Sequence, residues 1–181
     1  MMRGQGWLAG LVFLLAAGPV QALELDTEIT HYLAAPDLRW LEAAADTLSP
    51  NQALEVLRNG NGQRLGSRYP AMGFRDKDQW FLLRLENQSD IGLWYLRAGR
   101  PHLDYLDMYI YDQEGDLLRH QRSGDRVPFA ERPLPHHQLV FPLDIPPQSQ
   151  WSILFRARGE NVIDFPLSIR SPSEFNQHDG Y

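Results

Sequence analysis

An all-β fold, an antiparallel β-sandwich of jelly-roll type behind a short mixed N-terminal segment, is predicted by three features of the 181-residue sequence. From Ala53 onward, apolar and polar residues alternate with the period of a strand. Turn-forming residues interrupt that alternation at short intervals. The resulting runs are short and of similar length, which suits a jelly roll wrapped from two sheets.

The elements follow in order. Residues 1–22 have the make-up of a secretion leader: Arg3, an apolar run over 8–17, the breakers Gly18 and Pro19, and Ala22 with Val20 two before it. The run falls short of the roughly 20 apolar residues of a spanning helix, so cleavage after Ala22 is expected rather than retention as an anchor. The sandwich domain is then expected over 23–170 and a polar tail, or the start of a linker to a membrane region, over 171–181. In the mixed segment, 31–33 suits a short strand. Asp37 is placed to cap a helix running to Asp46, with Leu38, Leu41 and Ala45 at helical spacing. Ser49-Pro50 suits a turn, and 53–58 a short strand before the Asn59-Gly60-Asn61-Gly62 turn. Further strands are expected over 80–86, 93–98, 105–111, 116–121, 138–144, 151–157 and 164–170, with a hairpin turn at Asp112-Gln113-Glu114-Gly115.

Composition narrows the function classes. The absence of cysteine removes thiol nucleophiles, redox pairs and thiolate metal sites. The formal charge of −6 gives no electrostatic footprint for nucleic acid. Lys77 is the sole lysine, so the positive charge is nearly all arginine, the side chain suited to bidentate recognition and to stacking on rings. The six histidines are scattered. His136 and His137 are adjacent on a strand, point to opposite faces and read as rim residues, so no metal site is expected. The Asp112–Asp116 run lacks the length of a calcium loop. No Gly-x-Ser-x-Gly elbow is present. Asp104 and Asp107 lie three apart, hence on opposite faces of a regular strand, and read as loop and surface residues rather than a glycosidase pair.

Several short motifs nevertheless occur in a recognisable order: Gly66; Trp80-Phe-Leu-Leu-Arg84-Leu-Glu-Asn87; Pro101-His-Leu103-Asp104-Tyr-Leu106-Asp-Met-Tyr109; and Gly124-Asp125-Arg-Val-Pro128-Phe129-Ala-Glu-Arg132. Phe141-Pro-Leu143, Leu154-Phe-Arg156, Pro166-Leu167 and Ser173-Glu174-Phe175 follow. In this order and spacing, the stretch from Leu54 to Phe175 resembles the type 2 extracellular domain of seven-transmembrane receptors with diverse intracellular signalling modules. That resemblance implies an exported, non-catalytic domain folded like a carbohydrate-binding module. It further implies a membrane signalling region in cis or in a partner chain, with histidine kinase or diguanylate cyclase output.

The residues themselves offer one candidate surface. Trp80 and Arg84 share a face of one strand, Tyr95 and Arg97 of another, Tyr105, Tyr109 and Tyr111 of a third, and Arg156 and Arg158 of a fourth. If these strands are neighbours, Trp80, Arg84, Tyr95, Arg97, Tyr109 and Arg156 offer rings for a sugar face and forked donors for hydroxyls or carboxylates. Against this stand a core role for Trp80, ordinary strand propensity for the tyrosines and snorkelling for the arginines. Arg132, in the 124–132 loop, is a further ligand candidate or else a structural arginine satisfying loop carbonyls or Asp125. Three functions stay open: a sensor for a glycan or carboxylated small molecule, a protein-interaction or homodimerisation domain, and a cell-wall glycan hydrolase. No cofactor is expected.

Overall fold

The computed structural model describes residues 21–160 and 162–178, so the leader read over 1–22 lies outside the described residues except for Gln21 and Ala22. The chain runs β1 (Leu23–Leu25), β2 (His31–Leu33), a 3-10 turn (Ala35–Asp37), β3 (Arg39–Ala43), α1 (Pro50–Arg58), β4 (Gln63–Arg64), β5 (Ala71–Phe74), β6 (Asp78–Asn87) and β7 (Leu93–Ala98). It continues through β8 (Tyr105–Tyr111), β9 (Leu117–Ser123), a second 3-10 turn (Phe129–Glu131), β10 (Val140–Asp144), β11 (Ser149–Arg158), β12 (Val162–Asp164), β13 (Leu167–Arg170) and α2 (Pro172–His178).

Two sheets form the sandwich. The larger has the order β4-β3-β6-β11-β8-β9, with β1 also pairing β6 in parallel; the smaller has the order β10-β7-β13-β2. All other strand pairs are antiparallel. From β6 to β13 the chain repeatedly crosses between the two sheets, the wrapping of a jelly roll. β5 and β12 form a separate ribbon beside them.

The alternation dictates the core. Phe81, Leu83 and Leu85 of β6, Leu106, Met108 and Ile110 of β8, and Ile153 and Phe155 of β11 face inward. They meet Trp94 and Leu96 of β7, Phe141 and Leu143 of β10, and Ile169 of β13. Phe81 stacks on Phe165 with ring centroids 4.0 Å apart. Asn87, at the end of β6, is buried and fully used: its Nδ2 donates to the carbonyls of Ile91 and Ile145, and its Oδ1 accepts from the Ser89 N–H and hydroxyl. That side chain fixes the turn into β7 to the loop after β10, so the asparagine of the Trp80–Asn87 motif is structural.

The outer face of the larger sheet is also covered, and here the expectations fail. Residues 53–58 are helical, not a strand. Ser49 caps the helix in a capping box with Gln52, Pro50 occupies its first turn, and Ala53, Leu54 and Leu57 fall on one face. That face packs on Trp80, Leu82, Leu154, Tyr109 and Tyr111 in a second apolar cluster. The helix expected from Asp37 to Asp46 is instead a 3-10 turn followed by β3, because pairing with β6 outweighs a helical spacing of only three residues. Residues 171–181 are not simply a tail: over Pro172–His178 the chain is helical, and the buried Phe175 stacks on Tyr95 at 4.1 Å. His136 is buried rather than on the rim, its ring 5.7 Å from that of Phe175. Asp104 and Asp107 are likewise buried, not surface residues. No helix among the described residues is long and apolar enough to cross a membrane.

Leu57→Ala should remove about 2–5 kcal/mol of stability, because it empties a fully buried site between α1 and the sheet. Urea unfolding followed by tryptophan fluorescence measures this. A loss below about 0.5 kcal/mol would mean that α1 is not part of the cooperative fold.

Candidate functional site

Strand pairing lines the outer face of the larger sheet into transverse rows. Leu41 of β3, Trp80 of β6, Arg156 of β11, Asp107 of β8 and Arg122 of β9 are register partners in sequence across the sheet. One row to one side lie Leu154, Tyr109 and His120, and beyond them Arg84, Ser152 and Tyr111. One row to the other side Arg158 pairs with Tyr105. Helix α1 covers the Leu154 row and part of the next. The Trp80 end of the Arg156 row belongs to the same apolar cluster, whereas Arg156 and Arg158 themselves lie outside it.

Asp107 is the hub. Its side chain is 3% exposed and receives Arg122 Nε at 2.8 Å, His120 Nε2 at 2.8 Å and Arg156 Nη2 at 3.1 Å. Burial pushes this carboxyl up, but hydrogen bonds from Arg122 and His120, with the Arg122 charge and the Arg156 bond, outweigh it and hold it below the ordinary aspartate value. Arg156 also lies over the Trp80 ring at 5.5 Å, and His120 stacks on Tyr109 at 4.4 Å. A second hub is the buried Asp78, which accepts from Arg158 Nε at 2.7 Å and from the Asp46 N–H at 3.0 Å. Arg158 also donates to Asp46 Oδ1 at 2.7 Å, and its hydrogen bonds to Asp78 and Asp46 push its guanidinium further from deprotonation.

Next to these hubs opens a cleft of about 670 Å³. Its walls include Phe74 and Arg75 from β5 and its loop, Tyr105 and Arg158 from the sheet, and Arg126 from the loop after β9. Asp76, Asp104 and Glu160 supply carboxylates. Phe74 is 76% exposed, although it is a large apolar side chain. Arg126 lies 3.5 Å from Asp104 and 3.6 Å from Glu160, while Asp104 also accepts from the Glu160 N–H. Gly124 makes this possible. Its φ is +134° and its Cα lies against the Asp104 backbone, so the chain passes close enough for Asp125 and Arg126 to bond the carbonyls of Leu103 and Asp104. A smaller recess of about 110 Å³ between Tyr105, Asp107, Arg122, Arg156 and Arg158 adjoins the cleft. No group of three or more side chains suited to a metal occurs among the described residues.

The structure separates the residues singled out from sequence. Trp80, Arg84, Tyr109 and Arg156 do share one face of one sheet. Trp80 is fully buried and Tyr109 nearly so, which removes both as direct ligand contacts: α1 seals the rows that they occupy. Trp80 instead supports Arg156 from beneath. Tyr95 and Arg97 lie on β7 in the opposite sheet, so they cannot join that surface. Tyr95 is stacked under α2. Arg84 lies beyond α1, away from the cleft. Arg132 donates to the Val127 carbonyl at 3.3 Å and stands over Phe129, a loop-holding role. Arg156 alone of the seven adjoins the cleft. Sequence reasoning missed Asp107 as a hub, together with Arg122, Arg126 and Phe74. The signal for the first pair was the hairpin turn at 112–115, but counting back from Tyr111↔Leu117 pairs Asp107 with Gln121. A register shift near Ile110 makes the partner Arg122.

The depressed carboxyl of Asp107 stabilises the fold above the ordinary aspartate pKa, and that contribution is lost as pH falls through the lower folded value. Stability should therefore decline below about pH 4, and Asp107→Asn should flatten the decline while lowering stability at neutral pH. Thermal unfolding across the acid range checks this; parallel curves for the two proteins would refute it.

A model of the 7TMR-DISM extracellular 2 family matches residues 35–171. No curated protein matches the chain. Two solved structures of an exo-beta-1,3-galactanase from Phanerochaete chrysosporium, one with beta-1,3-galactotriose and one with galactose, are 15% and 14% identical to it. Each match covers 77% of this chain and 28% of that one at a TM-score of 0.35, a likeness too slight to bear on fold or function. The family match spans most of the sandwich, from the first 3-10 turn to the end of β13, and the chain belongs to the 7TMR-DISM extracellular 2 family, extracytoplasmic sensor domains of membrane receptors.

Proposed function

We propose that this domain is a non-catalytic sensor that binds a neutral, hydroxyl-rich small molecule, a sugar or short glycan, in the cleft between Phe74, Tyr105 and Arg126. The observation that carries this is the lining itself. Two aromatic side chains stand beside three arginines and three carboxylates. Rings stack on the C–H face of a sugar, and alternating donors and acceptors suit hydroxyls, which both give and accept hydrogen bonds. The balance of charge in the lining favours a neutral ligand over the carboxylated one that arginines alone would suggest, because each of Arg126 and Arg158 already faces an acid.

The family membership supports a role in which ligand binding biases a membrane-embedded region in cis. Output through a histidine kinase or diguanylate cyclase, and delivery to the periplasm by the leader over 1–22, belong to the same proposal. In this reading the acids hold and orient; Asp104 and Glu160 are both engaged by Arg126 and serve the shape of the cleft.

Isothermal titration of the purified chain against a panel of neutral mono- and oligosaccharides tests the reading. Binding by at least one of them is expected, with no reducing ends released. Phe74→Ala should weaken it about tenfold, the scale of one lost stacking contact, without lowering the unfolding temperature, since the side chain is exposed. Failure of the whole panel, or binding that ignores Phe74→Ala and Arg126→Ala alike, would overturn it.

A further inference from the structure

Among the described residues, the longest connection between elements is the loop from β9 to β10, residues 124–139, which holds one 3-10 turn and no other regular structure. Loops of this length inside a compact domain are commonly functional. One end of this loop lines the cleft, and the other lies against α2. At the cleft end, the Asp125 and Arg126 N–H groups donate to the carbonyls of Leu103 and Asp104 at 2.7 and 3.2 Å, and the Arg126 side chain stands in the cleft wall. At the other end, the buried His136 ring lies beside Phe175, which stacks on Tyr95. The His136 Nδ1 accepts from the Gln138 N–H at 3.0 Å, and the Leu139 carbonyl accepts from the Ala98 N–H of β7 at 3.1 Å.

Between these ends the loop has little to hold it. Val127 and His136 are buried, and none of residues 128–135 is. Arg132 crosses that gap: Nε donates to the Val127 carbonyl at 3.3 Å, Nη1 donates to the His136 carbonyl at 3.5 Å, and the guanidinium stands over Phe129 at 5.6 Å. One planar fork thus joins the residue next to Arg126 to the residue beside Phe175. Pro128, Pro133 and Pro135 lie in the same span and have fixed φ angles, so the span has few torsions with which to absorb a displacement. A stiff segment between two buried anchors, tied across by one guanidinium, is a strut. Movement at one anchor reaches the other as long as the tie is intact.

We infer that the 124–139 loop couples the cleft to α2, with Arg132 as the positioning residue that makes the two anchors move together. The inference rests on reading the cleft as the ligand site, and it supplies a route by which occupancy reaches the last helix. A guest that draws the Arg126 guanidinium away from Asp104 and Glu160 pulls on the segment that carries Val127. Arg132 passes the pull to His136, and the packing of Phe175 against His136 and Tyr95 changes with it. Helix α2 is short and Phe175 is its buried residue, so one side chain sets how firmly the helix docks.

The test needs no ligand. Amide hydrogen exchange of the purified chain, followed residue by residue by NMR, is compared for Phe175→Ala, Arg132→Gln and the double variant. Phe175→Ala should speed exchange of the Asp125 and Arg126 amides, at the opposite end of the loop, about fivefold or more, the scale of a modest coupling. In the Arg132→Gln background the same substitution should change those rates by less than about twofold, as for independent sites. An Arg132 that merely held its own loop would raise exchange there and leave the effect of Phe175→Ala undiminished. Should Phe175→Ala fail to fold, Phe175→Leu takes its place, since it keeps an apolar side chain without the ring stack. Where a saccharide of the panel binds, it should alter exchange of the Phe175 amide in the unmodified chain and not in Arg132→Gln. Equal effects of the Phe175 substitution in both backgrounds, no effect on the Asp125 and Arg126 amides in either, or a bound saccharide that leaves the Phe175 amide unchanged would overturn the inference. A panel without a binder would remove the sugar reading alone, because the exchange cycle is run on the free protein.

Discussion

The packing of α1 on the outer face of the larger sheet organises what this molecule can present to solvent. A sheet in a two-layer sandwich normally buries one face and wets the other. Here Ala53, Leu54 and Leu57 cover the middle of the second face, so Leu82, Leu154, Tyr109 and Tyr111 become interior. The strands at the sheet centre are consequently apolar on both faces along part of their length. What remains accessible is divided by the helix: a wide, mixed-charge cleft beyond one side and a narrow recess lined by Arg58, Arg84 and Ser152 beyond the other. Neither is an accident of loop placement alone, since each is floored by side chains in fixed strand register.

The charged rows follow from the same constraint. Along β11 the outward residues run Ser152, Leu154, Arg156, Arg158, and the change from apolar to cationic marks where the helix's apolar contacts end. Each buried acid beneath those arginines, Asp78 and Asp107, is satisfied by several donors, the condition for a buried carboxylate to be tolerated. The two networks meet at Asp46, whose carboxylate lies 2.7 Å from Arg158 and 3.6 Å from Arg156. A loop before α1, a central strand and an edge hairpin are thereby joined through polar contacts on a face otherwise held by apolar ones.

Much of the sandwich was legible because period-two alternation is a local property: Leu93–Ala98 and Tyr105–Tyr111 carry it without help from their partners. The segments misread were those where local signals competed. Ala53–Arg58 alternates weakly and also fits a helix, and the deciding evidence was the Ser49–Gln52 capping box immediately before it. The stretch from Asp37 had helical spacing but too few apolar positions to hold a helix against strand pairing with β6. The site was far less legible, because it depends on which strands are neighbours. Placing Tyr95 and Arg97 beside Trp80 required β7 to share a sheet with β6, but these two consecutive strands lie in different sheets. The Asp107–Arg122 pair was concealed by the one-residue irregularity near Ile110, which no alternation count reveals.

Asp107 binds side chains from two neighbouring strands at once, and one of them, β9, is the edge of its sheet. Arg122 therefore has two possible employments, holding the edge strand or meeting a guest in the adjoining recess, and it cannot fully serve both. Any guest that draws on it must compete with an internal anion already in place. Affinity and edge-strand order are then linked quantities: whatever tightens β9 against β8 weakens a guest's claim on Arg122, and the reverse holds by the same factor. Under the proposed sensor role, a guest that drew on Arg122 would change how firmly the margin of the sheet is held, with no need for the sandwich core to move.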